Sequence, residues 1–300
     1  WLRLTPAYSL KMAQRYLPDT QTSGKVFDPF CGTGTTPLYA AYQGLEAYAL
    51  ELNPFLVWFA RVKTWTYDDG IVEELLEGSR WILFQFDNNR VQPADPPPIR
   101  NINRWWGESA LAFLRGIKSG IEAYREQASS EKVIDLLYVC FCRTLIKISN
   151  AAFNHQSVSF DDSKQLSLFD ETNRYRAIFS GDVKFVANSA MYNPNVTPQI
   201  IQGDARNIDK HLPPDLANGS GVDLVITSPP YPNRMSYIRE LRPYMYWLGY
   251  LKQAREAGEL DWEAIGGTWG IATSRLSDWQ SDEAEGYYPA YFKQIRNYSA

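Results

Sequence analysis

The chain alternates short apolar runs with helical patterns near both of its ends. The first two runs are each followed by a segment whose apolar residues recur at helical spacing, as expected for buried strands connected by helices. Strands are predicted at 25–30, 45–52, 199–202 and 222–227, and helices at 35–43 and 53–65. Such alternation is typical of a parallel sheet with helices packed on its faces. We therefore predict an α/β fold.

Residues 66–198 interrupt this alternation. They begin with an acidic, proline-rich stretch, continue as a helical and basic stretch, and end as polar, irregular sequence with a strand near 183–187. We predict that residues 1–65 and 199–300 form one Rossmann-like core, truncated at its C-terminal end, and that 66–198 form a large, mostly helical insertion. An insertion at this position could serve as a target-recognition region.

Composition narrows the possible classes of protein. The 45% of hydrophobic residues is enough for a substantial core, which argues against a disordered chain. The net charge of −4 argues against a protein that coats nucleic acid nonspecifically, although a local basic face remains possible. The most apolar stretch, 133–148, is too short and too interrupted by charge to span a membrane. These features favour a cytoplasmic protein.

The loop after the first predicted strand, 27–35 (FDPFCGTGT), has the features of a ligand-binding turn. Gly32 and Gly34 would let a ligand approach the backbone, and the following helix offers free N–H groups at its start. Asp28 stands where an ammonium group could be held. Glu51 ends the second strand, which is the position where a carboxylate binds ribose hydroxyls. The alternative is a tight strand-to-helix turn that binds no ligand.

Two further loops follow predicted strands. Asp204 follows the strand at 199–202 and a glycine, so it either pairs with an adenine amino group or caps a turn. The segment 227–231 (TSPPY) places two prolines directly after a strand, which fixes a rigid turn with outward-pointing carbonyl groups. Tyr231 adds a flat face, so this loop predicts a slot for a planar ring that bears an amino group. The alternative is a strand terminator with Tyr231 in the core.

Taken in order, FDPFCGTG, Glu51, Gly203-Asp204 and TSPPY resemble the amino-methyltransferases of DNA, the cytosine-N4 and adenine-N6 enzymes. The resemblance implies S-adenosylmethionine as cofactor, DNA with its target base flipped out as substrate, and a restriction or other defence-system protein as a possible partner. It places Thr5, Asp28, Pro29, Phe30, Gly32, Thr33, Gly34, Glu51 and Asp204 at the cofactor, and Ser228, Pro229, Pro230 and Tyr231 at the target base.

The choice of target base depends mainly on Ser228. Serine before the two prolines resembles the cytosine-N4 branch, whereas adenine enzymes favour Asp or Asn there. An adenine-N6 enzyme, an RNA base-amino methyltransferase and a non-catalytic binding subunit remain as alternatives. Cytosine-C5 methylation with Cys31 as nucleophile is a further rival, although Cys31 lies within the cofactor loop.

Two sets of basic residues could contact DNA phosphates. One is the segment 234–247, in which arginines alternate with aromatic residues, so it predicts either a phosphate-binding helix or an amphipathic helix with a solvated basic face. The other consists of Arg100, Arg104, Arg115, Lys118 and Arg125, which are either DNA-facing or simply solvated.

Overall fold

The structure is a computed structural model that describes residues 1–2, 4, 10–17, 23–152, 159–160, 171–194, 196–214, 216, 221–230 and 236–265. Its elements are α1 (Leu10–Tyr16), β1 (Lys25–Asp28), α2 (Thr35–Tyr42), β2 (Glu46–Glu51), α3 (Pro54–Thr64), α4 (Asp69–Asp87), α5 (Ile102–Trp105), α6 (Glu108–Arg125), α7 (Glu131–Lys147), β3 (Ala151–Ala152), β4 (Ser159–Phe160), α8 (Glu171–Ala190), β5 (Gln199–Gln202), a 3-10 turn (Ala205–Asn207), α9 (Ile208–His211), β6 (Leu224–Val225), α10 (Arg242–Trp247) and α11 (Ala254–Glu263).

Four of these strands form one parallel sheet in the order β5-β2-β1-β6. In this register Val26 lies between Ala47 and Leu224. Counted along the chain, the order is 3-2-1-4, which is the order of a doubly wound sheet. The predicted α/β, Rossmann-like fold is therefore confirmed. Because the strands are parallel, their carboxyl ends, with the loops that follow them, meet at one edge.

Both faces of the two central strands, β1 and β2, are largely buried. On one face Val26 and Ala47 pack against Ala40 of α2 and against Ala13 of α1. On the other face Phe27, Tyr48 and Leu50 pack against Leu216. Strands covered on both sides need apolar residues at successive positions, which explains why the sequence shows continuous apolar runs instead of alternation.

Helices dominate residues 66–198, as predicted, but two of them were not expected. The acidic stretch forms α4, and the stretch assigned to irregular sequence with a strand near 183–187 forms the 20-residue helix α8. The strand prediction was wrong. Tyr175, Phe179, Val183 and Val186 are spaced by three or four residues and are all buried, so the apolar pattern is that of a helix packed on one side.

One hydrophobic core connects these helices to the α/β unit. It includes Phe55 of α3, Phe141 of α7, Trp106 and, from the segment after the predicted catalytic loop, Trp247. The rings of Trp106 and Phe141 meet Trp247 edge-on at centroid distances of 5.7 Å and 5.5 Å. The side chains of the helical segment therefore pack directly against the chain that leaves the predicted catalytic loop.

No helix in the described part of the chain is both long and apolar enough to cross a membrane. The same residues contain no cluster of His, Cys, Asp and Glu that could hold a metal ion.

Candidate active site

Two glycines with positive φ shape the loop between β1 and α2. Gly32 has φ +52° and Gly34 has φ +76°, values that side-chain-bearing residues rarely adopt. Gly34 also precedes α2 directly, and a Cβ atom there would lie 2.9 Å from the Cβ of Ala60 on α3. A Cβ at Gly32 would meet no atom within 4 Å. Gly34 therefore allows α3 to pack closely, whereas Gly32 leaves open space above the loop.

Glu51, the last residue of β2, is hydrogen-bonded to this loop. Its two carboxylate oxygens accept hydrogen bonds from the backbone N–H of Gly32 at 2.9 Å and of Asn53 at 2.8 Å. Burial raises the pKa of Glu51 to about 7, although both N–H donors favour the charged form and act in the opposite direction. The Glu51 carboxyl thus lies at the carboxyl end of β2, and its pKa is close to neutral pH.

Asp28 is fully buried at the end of β1. One of its oxygens accepts a hydrogen bond from the Phe30 N–H at 3.1 Å. Burial raises the pKa of this carboxyl, whereas the side chains of Thr36 and Thr227 and the Phe30 N–H favour its charged form and act in the opposite direction. A buried carboxylate at this position would be further stabilised by a nearby positive charge.

The turn after β5 is fixed to Glu51. The Gly203 N–H donates to the Glu51 carbonyl oxygen at 3.0 Å, and the Asp204 N–H donates to Nε2 of His211 at 3.4 Å. The Asp204 carboxylate accepts hydrogen bonds from the backbone and the guanidinium of Arg206, which lower the pKa of Asp204. The position of Asp204 is thus set by contacts on both sides of it along the chain, at Gly203 and at Arg206.

The serine–proline–proline loop follows β6, beside the end of β1. The Ile226 N–H donates to the Phe27 carbonyl at 3.1 Å, and the Thr36 hydroxyl donates to the Ile226 carbonyl at 3.5 Å. These contacts fix the chain just before Ser228, which is exposed. Tyr231 and Thr5 lie outside the described residues.

A cavity lies above the carboxyl ends of the strands. Of the residues predicted from sequence, those that line it are Pro29, Phe30, Gly32, Glu51, Asp204, Ser228 and Pro230. Asp28, Thr33, Gly34 and Pro229 do not line it: the first three are buried or packed within the loop, and Pro229 is exposed.

The remaining walls were not predicted. Leu52 and Asn53 follow Glu51 directly in the sequence, so their place in the cavity wall could have been predicted from the position of Glu51. The other wall comes from residues 237–265, of which 237–247 were predicted as part of a possible phosphate-binding helix and not as part of the cofactor site. Its members are Tyr237, Ile238, Leu241, Leu260, Glu263, Ala264 and Ile265.

Cys31 does not face the cavity. Its side chain is 3% exposed and packs among Ala49, Val57 and Ile200, and burial raises the pKa of the thiol well above its usual range. A nucleophilic cysteine needs access to substrate and a thiolate that forms readily. This geometry does not support the alternative of a cysteine nucleophile.

Some members of the two basic sets are engaged within the protein. In the described part of the first segment, 236–247, the helix begins only at Arg242, and Tyr244 and Trp247 are buried in the core, which argues against a phosphate-binding helix there. In the other set, Arg115 donates to the Ala94 carbonyl oxygen, and Arg125 forms ion pairs with carboxylates of neighbouring helical residues.

Comparison with curated proteins finds the Type II methyltransferase M.MvaI of Kocuria varians, which is 22% identical over 231 residues. The chain is similar to a methyltransferase. The matched stretch covers 74% of this chain and 49% of the relative, so the chain spans about half the length of that protein. No family model matches the chain, and no solved structure matches it.

Proposed function

We propose that this chain transfers a methyl group from S-adenosylmethionine to an exocyclic amino group of a DNA base, with cytosine N4 as the target. The main support is that Gly32, Glu51, Asp204 and Ser228, which lie at or just after the carboxyl ends of four different strands, line one cavity at this edge of the sheet. In open α/β sheets this edge is where ligands bind. The similarity to a Type II methyltransferase supports the same reaction class.

The cofactor fits the polar groups that the site offers. The Glu51 carboxylate would accept hydrogen bonds from the ribose hydroxyls, and the Asp204 carboxylate would accept one from the adenine amino group. Open space above Gly32 leaves room for the sugar and the sulfur-bearing chain. The Asp28 carboxyl lies buried beneath this loop, and its negative charge would favour the cationic methionine end.

The serine–proline–proline loop would activate the target nitrogen. An exocyclic amino group is a poor nucleophile because its lone pair is delocalised into the ring. The Ser228 hydroxyl oxygen and the Pro229 carbonyl oxygen would accept hydrogen bonds from the two N–H groups of this nitrogen. That arrangement favours a tetrahedral nitrogen whose lone pair is directed at the methyl group. Rigid prolines keep both acceptors in place, so little reorganisation is needed. S-adenosylmethionine would supply a methyl group on a positively charged sulfur and leave as S-adenosylhomocysteine, and the methylated nitrogen would release one proton to water.

The target base must leave the duplex to reach this loop, at a cost of a few kcal/mol. Stacking on Tyr231, worth roughly 1–3 kcal/mol for base–aromatic contacts, would offset part of that cost. Residues 66–198 are proposed to contact the DNA around the target, because their helices share a core with the chain that leaves the catalytic loop.

Nucleoside analysis tests the reaction directly. After incubation of the protein with S-adenosylmethionine and unmethylated DNA, mass spectrometry of the digested nucleosides is expected to show N4-methylcytosine. N6-methyladenine would keep the reaction class and reject the choice of base. Methylated RNA with unmodified DNA would favour the RNA enzyme, and no methylated nucleoside despite cofactor binding would favour a non-catalytic subunit.

Cofactor affinity is expected to rise with pH up to about 7 and then to level off. In the free protein the raised pKa leaves Glu51 largely protonated below about 7. A protonated carboxyl loses acceptor capacity for the ribose hydroxyls, so binding must drive off the proton. Titration calorimetry with S-adenosylhomocysteine should show affinity falling by about tenfold per pH unit below that point, with proton release on binding.

Glu51→Gln is the control for this pH dependence. Its amide has no proton to release in this range, so the variant should bind weakly and with the same affinity at every pH. If the pH dependence persists in Glu51→Gln, another group titrates, and Asp28, whose pKa burial also raises, is the first candidate. Affinity independent of pH in the unaltered protein would contradict the role given to Glu51.

A further inference from the structure

One guanidinium group holds the carboxylate that is proposed to recognise adenine. Nε of Arg206 lies 3.0 Å and 2.9 Å from the two oxygens of Asp204, and Nη2 lies 2.6 Å from Oδ2. The Arg206 N–H also donates to Oδ1 at 2.9 Å. The same residue thus donates to both oxygens of Asp204, and its side chain is only about half exposed.

These contacts limit what the carboxylate can accept. An ionised carboxylate has about four lone-pair sites and no donor. Arg206 occupies most of them, and the orientation of the group is fixed by a planar fork in place of a single point charge. Asp204 itself lines the cavity. A carboxylate kept ionised and oriented can accept an amino hydrogen but has no hydrogen to donate to a carbonyl.

We propose that Arg206 is a positioning residue that makes the cofactor pocket selective for adenine over a purine with a carbonyl at the same position. This inference rests on the proposed function, because it assumes that Asp204 meets the purine edge of the cofactor. A 6-amino group would complete the hydrogen bonds of Asp204. A 6-carbonyl group would place its oxygen against a negative charge that Arg206 prevents from becoming protonated.

Arg206 also ties this edge of the pocket to its outer wall. Its Nη2 donates to the carbonyl oxygen of Glu263 at 3.0 Å, at the C-terminal end of α11. A positive charge is favourable at that end of a helix. Because Glu263 lines the cavity, the guanidinium sets the distance between the wall and Asp204.

The backbone of the turn does not depend on this side chain. The Gly203 N–H bonds to Glu51, the Asp204 N–H bonds to His211, and the Asn207 N–H bonds to the Asp204 carbonyl at 2.9 Å. Gly203 is in addition closely covered by His211, whose ring would lie 2.7 Å from an added Cβ. Removing the Arg206 side chain should therefore free the carboxylate while the turn stays in place.

The test compares two ligands that differ at one position, S-adenosylhomocysteine and its deaminated form, S-inosylhomocysteine. The unaltered protein should prefer the adenosyl ligand by roughly 100-fold, the range of one hydrogen bond to a charged group plus repulsion of the carbonyl. In Arg206→Ala the adenosyl affinity should fall by roughly 30-fold and the inosyl affinity by less than about threefold. The preference should then shrink to within a few fold.

Two variants separate positioning from general effects. Lys210→Ala removes an equal charge from an exposed side chain next to this turn and should keep the full preference. Arg206→Lys keeps the charge but loses the fork, so its preference should be intermediate. If Arg206→Ala weakens both ligands equally and keeps their ratio, the role of Arg206 is only structural and the inference is wrong. If the unaltered protein binds neither ligand, the proposed function itself fails.

Discussion

Replacing Ser228 with alanine is expected to slow methyl transfer by about 100- to 1,000-fold, the usual effect of removing one fixed hydrogen-bonding group that acts on the transition state. Ser228 is exposed at the rim of the cavity, beyond the last backbone contact of the loop at Ile226. Its loss should therefore leave the fold and the cofactor affinity nearly unchanged. Single-turnover assays with saturating cofactor, combined with cofactor binding by calorimetry, measure both quantities.

Two further substitutions at this position separate chemistry from base choice. Ser228→Thr keeps a hydroxyl acceptor and should retain more activity than Ser228→Ala. Ser228→Asp introduces the residue that the resembling adenine enzymes favour, so it should lower methylation of cytosine relative to adenine in the nucleoside assay. A parallel loss of cofactor binding and turnover in Ser228→Ala would show that Ser228 supports the pocket and not the reacting nitrogen.

The loops of the candidate site were predictable because their signals are local. Gly32 and Gly34 adopt positive φ, Glu51 and Asp204 end or follow strands, and Pro229 cannot continue a ladder. A parallel sheet then brings all of these loops to the same edge without further information. The proximity of distant residues followed from the fold class alone.

The outer wall of the cavity was not predictable because its burial depends on tertiary partners. Asp261 of α11 is fully buried, which a carboxylate tolerates only when it is hydrogen-bonded. Its partners are the Ser236 hydroxyl at 2.6 Å and the Ile238 N–H at 3.4 Å. In the sequence α11 appears as a polar surface helix, and these contacts place Leu260 in the wall of the cavity.

The role of the segment 234–247, in which arginines stand beside aromatic residues, could not be decided from the sequence for a similar reason. In 242–247 the aromatic side chains could have stacked on DNA or filled a core, and both uses favour the same residue types. In the structure these aromatic side chains fill the core, because Phe55 stacks on Tyr244 at a centroid distance of 5.3 Å and Trp106 packs edge-on against Trp247. Neither partner is near these residues in the sequence.

Replacing Trp247 with alanine is expected to destabilise the protein by about 3–5 kcal/mol, the range for removing a large buried aromatic side chain. Trp247 is 1% exposed and contacts the aromatic rings of α7 and of the residue after α5, so it connects them to the segment that follows the proposed catalytic loop. Urea unfolding followed by both circular dichroism and intrinsic fluorescence measures the change in the free energy of unfolding.

The same experiment tests whether residues 66–198 form a separate domain. Since Trp247 belongs to the core that α3, α4, α6, α7 and α8 share, both probes should report one transition, shifted as a whole in Trp247→Ala. Trp247→Phe should lower the free energy of unfolding by less than Trp247→Ala does. The buried indole N–H has no hydrogen-bond partner among the described residues, so its removal breaks no hydrogen bond with them. Two transitions, of which Trp247→Ala shifts only one, would mean that the helical segment unfolds independently. It could then not position the proposed catalytic loop through this core.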